Sequence, residues 1–159
     1  MYGMGKNKLA LSLGVSKDEA DKLIVKYNRK VPFVKLLSDR CKFSADEKGV
    51  IRTKKGRKCR FDLWEPRAFG IHKALPLWEA EKEYGRDLKR AWTYKALNRL
   101  IQGSAADQTK KAMLELYKQG YMAHIQVHDE LDFSVANEQD KNNIKEIMEQ
   151  AIKLEVPTK

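Results

Sequence analysis

The feature that most constrains this 159-residue chain is an alternation of apolar and polar side chains over residues 125–135. The apolar members are Ile125, Val127, Leu131, Phe133 and Val135. Alternation with a period of two is typical of half-buried strands. His128, Asp129 and Glu130 lie between the two apolar groups. We therefore predict two short antiparallel strands joined by a tight turn, with these three residues at its tip.

The tip of the predicted hairpin places two carboxylates, Asp129 and Glu130, beside His128. Crowded carboxylates repel each other, and a hard divalent cation such as Mg²⁺ relieves that repulsion. His, Asp and Glu are also ordinary turn residues. Taken alone, these three residues favour the plainer interpretation, which is a solvated hairpin tip without chemistry.

A second motif changes that interpretation. Residues 98–107 read Asn-Arg-Leu-Ile-Gln-Gly-Ser-Ala-Ala-Asp, and a helical run leads from them to Gln-Val-His-Asp-Glu at 126–130. This pair of motifs resembles the family A DNA polymerases, the bacterial DNA polymerase I group. In that family an Asn-x-x-x-Gln-Gly-[Ser/Thr]-Ala-Ala-Asp helix precedes a Val-His-Asp-Glu hairpin. The resemblance spans nearly the whole chain, and residues 62–77 look more like phage-encoded members than bacterial ones.

The resemblance implies template-directed addition of deoxynucleotides to a primer 3′ end, in DNA replication or repair. In such enzymes two metal ions clamp the attacking and leaving oxygens of the reaction. By this resemblance Asp129 is expected to be catalytic and to bind Mg²⁺. Glu130 is expected to act as a supporting catalytic carboxylate, and His128 to contact the primer end.

The first motif is predicted to lie on one long helix over residues 87–118. Tyr94, Asn98 and Gln102 are spaced at i, i+4 and i+8, so they share a face of that helix. Amide side chains can donate to the minor-groove acceptors that every base pair presents, and Asn98 and Gln102 are expected to bind DNA in this way. Family members often have an arginine where Tyr94 stands, and Lys95 or Arg99 is a candidate to compensate. The alternative is a polar stripe that faces water.

An excess of positive charge indicates a polyanionic partner. The sequence has 32 Lys and Arg against 22 Asp and Glu, a formal net charge of +10, which favours nucleic acid. Residues 50–61 are predicted to form a second hairpin with Gly56 in its turn. Arg52, Arg57 and Lys58 are expected to contact phosphates there. The alternative is an edge hairpin kept soluble by its charges.

The expected fold is α+β, mostly helical with a small antiparallel sheet. The resemblance assigns residues 1–86 to the outer fingers helices and the basic hairpin. It assigns residues 87–159 to a palm portion with the long helix, the His-Asp-Glu hairpin and a final helix. Residues 62–77 are expected to be irregular. Tyr2 belongs to a Tyr-Gly pair like the one that closes the family's nucleotide-binding helix, so it is expected beside the template base; a frayed terminus is the alternative.

Two parts that the family requires have no counterpart in these residues. The nucleotide-gripping Arg-x-x-x-Lys helix would precede Met1, and no strand with the family's other metal-binding Asp occurs before Ile125. We therefore expect the isolated chain to be inactive and to supply only part of a two-ion Mg²⁺ site. Its expected partners are primer–template DNA, deoxynucleoside triphosphates and the N-terminal half of the polymerase.

Three other functions fit the residues. They are a non-catalytic nucleic-acid-binding module, a metal-dependent nuclease built on Asp129, Glu130 and Asp132, and a structural remnant without activity. Two cysteines are too few for a zinc site and are expected to be reduced. No apolar run approaches membrane-spanning length and the N-terminus does not resemble a signal peptide, so the expected location is the cytoplasm of a bacterium or phage-infected cell.

Overall fold

The computed structural model describes residues 5–68, 70 and 72–153, and their fold is the mostly helical α+β arrangement that the sequence predicts. The elements are α1 (Lys6–Leu13), α2 (Lys17–Lys30), α3 (Pro32–Lys48), β1 (Val50–Arg52), β2 (Lys58–Arg60), β3 (Leu63–Pro66), β4 (Leu75–Pro76), α4 (Leu77–Tyr84), β5 (Leu88–Arg90), a 3₁₀ turn (Thr93–Lys95), α5 (Ala96–Lys118), β6 (Ile125–Val127), β7 (Glu130–Asp132) and α6 (Glu138–Gln150). The chain divides into two compact units, Met1–Leu100 and Ile101–Lys159. Across the described ranges, no helix has the length and apolar character needed to cross a membrane.

Local sequence signals determine where the first three helices begin and end. Ser16 and Glu19 form a capping box at the start of α2, in which the Glu19 N–H donates to Ser16 Oγ at 3.2 Å and the Ser16 N–H donates to Glu19 Oε2 at 3.0 Å. Pro32 occupies the first turn of α3. Gly14 and Gly49 follow α1 and α3 with φ of +66° and +64°, a conformation that glycine adopts without steric strain.

Two apolar clusters stabilise the first unit. Leu9, Ala10 and Ala20 join α1 to α2. The second cluster joins α3, the hairpin of β1 and β2 and the start of α5, and its buried members are Cys41, Ala45, Ile51, Phe61, Ala96 and Leu97. These contacts hold the basic hairpin and the first turn of α5 in one packed body.

The region between the basic hairpin and α5 differs most from expectation. Within residues 62–77, residues 63–66 and 75–76 form strands, whereas the described residues between them have no regular structure as expected. Strand β3 pairs antiparallel with β4 on one side and β5 on the other. Strand β5 and the left-handed Trp92, with φ of +58°, replace the predicted start of the long helix. The helix prediction is wrong for residues 87–95, because pairing with β3 satisfies the backbone groups of β5 in a sheet instead.

The second unit contains most of α5, the hairpin of β6 and β7, and α6. The side chain of Asn137 caps α6 by accepting from the Asp140 N–H at 2.9 Å. Tyr121 ties the segment after α5 to α6, since its hydroxyl donates to Asp140 Oδ1 and accepts from Asn143 Nδ2, each at 3.1 Å. Leu116 and Ile144 are buried in this unit.

Candidate nucleic-acid and metal-binding site

The hairpin around the His-Asp-Glu motif is present, with a tighter turn than expected. Val127 lies opposite Glu130, so His128 and Asp129 form a two-residue loop. His128 has φ of +53°, which the first position of both common two-residue hairpin turns requires and which histidine adopts more readily than most residues. Gln126 Nε2 donates to the His128 carbonyl at 3.1 Å. Glu130 is therefore the first residue of β7 and not part of the turn.

The register of this hairpin separates its side chains onto two faces. Ile125 lies opposite Asp132 and Val127 opposite Glu130, and partners across antiparallel strands point to the same face. That face combines two acidic with two apolar side chains, and Ile125 and Val127 are 56% and 50% exposed. Leu131 lies on the other face and is half-buried, so the apolar side chains of the two strands do not share one face of the hairpin.

An open groove of about 520 Å³ lies between α5, the hairpin and α6. Asp129, Leu131 and Phe133 line its hairpin side. The helical sides include Ala105, Thr109 and Ala112 of α5 and Lys141, Ile144 and Lys145 of α6. Ala105 belongs to the run of small residues 103–106 in α5, and the groove leaves open space between it and the hairpin. Asp129 therefore lines a groove whose other lining residues are mostly apolar but include Lys141 and Lys145.

The carboxylates of the hairpin fit a partial metal site. Within the described ranges, no three His, Cys, Asp or Glu side chains come close enough to hold an ion together. The set considered for a nuclease is divided, since Glu130 and Asp132 share one face of β7 while Asp129 lines the groove. Asp129 and Glu130 are both exposed. Mg²⁺ is usually bound through one or two carboxylates plus waters and substrate phosphates, and an exposed carboxylate suits such a shared ion.

Two of the residues predicted to check base pairs lie four positions apart in α5. Asn98 is half-buried and Gln102 is exposed. Tyr94 lies in the 3₁₀ turn before α5, and its side chain is 63% exposed. The predicted helical row of Tyr94, Asn98 and Gln102 therefore contains only Asn98 and Gln102. Their binding to DNA stays a prediction.

Strands β1 and β2 form the predicted basic hairpin, with Gly56 at φ of +85° in its turn. Ile51 and Cys59 pair on the face that packs into the first unit. Arg52 and Lys58 pair on the other face, and both are exposed. Like charges directly opposite one another destabilise a sheet. This pair therefore favours a polyanion that supplies the missing counter-charge.

The other predicted DNA-binding residues have different surroundings. Arg57 is exposed in the turn of the basic hairpin. Arg99 is half-buried; its guanidinium lies 4.7 Å from the centroid of the Phe61 ring and donates to the Arg60 carbonyl at 3.3 Å. Arg99 thus joins α5 to the end of the basic hairpin, and its contact with DNA stays a prediction. Tyr2 lies outside the described residues.

An aromatic and basic cluster lies just before α5. From the sequence, Tyr94 was expected in the helical row and Lys95 was a candidate to compensate for the missing arginine, whereas Trp92 had no predicted role. The Nζ atom of Lys95 lies 5.6 Å from the ring centroids of both Trp92 and Tyr94. Two aromatic residues and one lysine within four positions are the local signal that identifies this cluster. The left-handed backbone of Trp92 has no comparable signal in the sequence, because tryptophan rarely adopts it.

The whole chain, residues 1–159, matches the family model for DNA polymerase family A. It is 39% identical over 141 residues to a DNA-directed DNA polymerase of Pseudomonas phage M6, covering 89% of this chain and 18% of that protein. It is 32% identical over 168 residues to DNA polymerase I of Geobacillus stearothermophilus, covering 100% of this chain and 17% of that protein.

Among solved structures, the chain resembles the POL domain of Pol1 from M. smegmatis in complex with DNA primer-template and dNTP. The TM-score is 0.74 at 27% sequence identity, over 99% of this chain and 26% of that chain. By the coverages of 18% and 17% given above, the chain spans less than a fifth of the length of the phage and Geobacillus relatives. Because the family match extends over both compact units, this chain belongs to DNA polymerase family A.

Proposed function

We propose that these residues act as the C-terminal part of a DNA-directed DNA polymerase, which adds deoxynucleotides to a primer 3′ end in DNA replication or repair. The observation that carries the proposal is the turn between β6 and β7, which presents the exposed Asp129 at a groove beside α5. The phage and bacterial relatives, which are DNA polymerases by name, support the same function.

Asp129 is the proposed metal ligand and catalytic carboxylate. Bound Mg²⁺ would stabilise the charge that develops on the attacking and leaving oxygens during nucleotide transfer. Glu130 follows Asp129 at the start of β7 and would add a second negative charge nearby. His128 would contact the primer end, and its position in the same two-residue loop would keep it close to Asp129.

These residues would supply only part of the two-ion site. A single carboxylate holds Mg²⁺ weakly, because the ion keeps most of its waters until further ligands or phosphates displace them. The second metal-binding Asp and the residues that grip the triphosphate would come from an N-terminal half of the polymerase, as a separate chain or in one longer chain. The 159 residues alone would therefore not extend a primer.

Primer–template DNA and deoxynucleoside triphosphates are the proposed partners. The presence of both in the M. smegmatis complex supports this assignment. Residues 1–86 would serve as outer fingers and residues 87–159 as palm, acting in the cytoplasm of a bacterium or of a phage-infected cell. DNA would meet the basic hairpin through Arg52, Arg57 and Lys58.

Asn98 and Gln102 would donate to minor-groove acceptors of the paired bases. Arg99 would reach DNA with the donors that its contact with Arg60 does not use. Tyr2 would lie beside the template base.

The decisive experiment compares two carboxylates of one hairpin in a polymerase completed with its N-terminal half. Asp129→Asn should abolish primer extension, and the matched control Asp132→Asn should retain it, because Asp132 lies on the face away from Asp129. Circular dichroism should show both variants folded. Normal extension by Asp129→Asn would refute the proposal. Primer extension by the pure 159-residue chain would refute the proposal that these residues supply only part of the metal site.

A non-catalytic nucleic-acid-binding module is the second candidate, and the opposed Arg52 and Lys58 favour it independently of Asp129. The same comparison separates the two functions. A module would bind DNA but would give no Asp129-dependent nucleotide addition after it is joined to the N-terminal half.

A further inference from the structure

Two exposed aromatic rings flank a lysine immediately before α5. Trp92 is 37% exposed and Tyr94 is 63% exposed, and Lys95 Nζ lies 5.6 Å from each ring centroid. Thr93 between them is buried, and the 3₁₀ turn that contains it packs against α3. The turn is therefore held in place by its buried residue while both rings keep a surface open to solvent.

The backbone of Trp92 is held in the left-handed region, with φ of +58° and ψ of +21°. This conformation is unfavourable for a bulky residue, and it persists only where the surrounding structure imposes it. Glycine or asparagine would occupy the position with less strain. A strained tryptophan that leaves part of its ring exposed is a reason to look for a ligand of that ring.

Trp92 and Tyr94 also line an open groove of about 420 Å³ in the first unit. Trp64 lies in the same groove, and the guanidinium of Arg90 lies over its ring, 4.5 Å from the centroid. Lys95 Nζ lies over the rings of Trp92 and Tyr94 at the longer distance of 5.6 Å, so a base would stack on the opposite face of each ring. Four basic and three acidic side chains line the groove as well. Because these charges nearly balance, the groove suits the faces of bases better than a row of phosphates.

We propose that Trp92, Tyr94 and Lys95 form a stacking platform for unpaired bases of single-stranded DNA. Every base has a flat π face, so stacking on aromatic side chains tolerates any sequence, and a neighbouring cation attracts the phosphate. Bases inside a duplex expose only their edges in the grooves, so the platform would select unpaired nucleotides. This inference deepens the proposed function, because the occupant would be the unpaired part of the template strand.

The test uses the whole 159-residue chain. Trp64→Phe combined with Trp78→Phe leaves Trp92 as the only tryptophan. Titration of this variant with oligothymidine should quench the fluorescence of Trp92 to a saturable endpoint. A fully paired duplex of the same length should quench it far less at equal phosphate concentration.

Single substitutions then identify the rings that stack. Trp92→Ala and Tyr94→Ala should each weaken the affinity for oligothymidine by about fivefold or more, and Trp92→Phe should retain most of it. Trp78→Ala is the matched control, since Trp78 is 68% exposed but lines a different groove. It should bind like the wild-type chain.

The proposal is overturned if oligothymidine leaves the Trp92 fluorescence unchanged, if duplex quenches it equally, or if Tyr94→Ala binds oligothymidine normally. Tyr94→Ala keeps the test valid should Trp92→Ala fail to fold, because the Tyr94 side chain is largely exposed. A failed stacking test leaves the proposed polymerase function standing, since primer extension through Asp129 is measured separately.

Discussion

A methyl group added at Gly49 would lie 2.6 Å from the Cζ atom of Arg90. The guanidinium of Arg90 donates to the Phe61 carbonyl at 2.9 Å and to the Asp46 carbonyl at 3.2 Å, and it covers the ring of Trp64. This one side chain therefore joins α3 and the end of the basic hairpin to the three-stranded sheet, and its guanidinium occupies the space that a side chain at Gly49 would need.

Gly49→Ala should destabilise the first unit more than Gly14→Ala. Both glycines end a helix at nearly the same positive φ, but an added Cβ at Gly14 would meet no atom within 4 Å. The strained backbone alone should lower the free energy of unfolding by about 1–2 kcal/mol at either site. Displacing Arg90 should add roughly 1–3 kcal/mol at Gly49. Chemical denaturation followed by circular dichroism measures the difference, and equal losses would contradict the close approach.

The capping box predicts that Glu19 makes a pH-dependent contribution to the free energy of unfolding. Hydrogen bonds from the side chain and then the backbone of Ser16 hold the pKa of Glu19 below its ordinary value of 4.5. Because the folded pKa is lowered, this contribution is present above the unfolded pKa and is lost as the pH falls through the folded pKa. Glu19→Ala should thus be less stable than wild type near neutral pH, and the gap should narrow in acid.

Denaturation midpoints at a series of pH values measure that gap. Ser16→Ala should also reduce the pH dependence of stability in the acid range, because it removes the largest cause of the lowered pKa of Glu19. A gap between wild type and Glu19→Ala that stays constant down to acid pH would be evidence against the capping contribution.

Lys58→Gln should weaken DNA binding without loss of stability. The substitution removes a like-charge contact with Arg52 across the hairpin, so the free energy of unfolding should stay the same or rise slightly. Loss of one phosphate contact should reduce the slope of log affinity against log salt by about 0.9.

The affinity for a labelled primer–template, measured over a range of salt concentrations, tests this expectation. Lys17→Gln, an exposed change in α2, is the control for the loss of one positive charge. If both variants keep the wild-type salt slope, Lys58 makes no phosphate contact.

Gln102→Ala should slow primer extension in the completed polymerase while leaving stability nearly unchanged, since Gln102 is exposed in α5. Loss of one neutral hydrogen bond to a base predicts a decrease of about two- to tenfold. Gln119→Ala, at an exposed glutamine just after α5, is the matched control. A large loss of stability together with normal extension would make Gln102 a structural residue.

The elements whose signals are local could be predicted from the amino-acid sequence. The capping box of Ser16 and Glu19, the cap at Asn137 and the turn at Gly56 all act within a few residues of the chain. The His-Asp-Glu hairpin is equally local, because its loop is only two residues long. One of the two family motifs, residues 126–130, lies in this hairpin, so local sequence was enough to predict the turn that carries Asp129.

The features that depend on distant residues became visible in the folded chain. Strand β5 replaces a helix because Arg90 pairs with Trp64, which lies 26 positions earlier in the chain. Tyr94 is not part of the predicted helical row, because β5 and the turn at Trp92 place it in the 3₁₀ turn before α5. The exposure of Ile125 depends on the register of its hairpin and on which face of that hairpin other segments cover. Long-range pairing and burial are set by the packing of distant segments, which local periodicity does not encode.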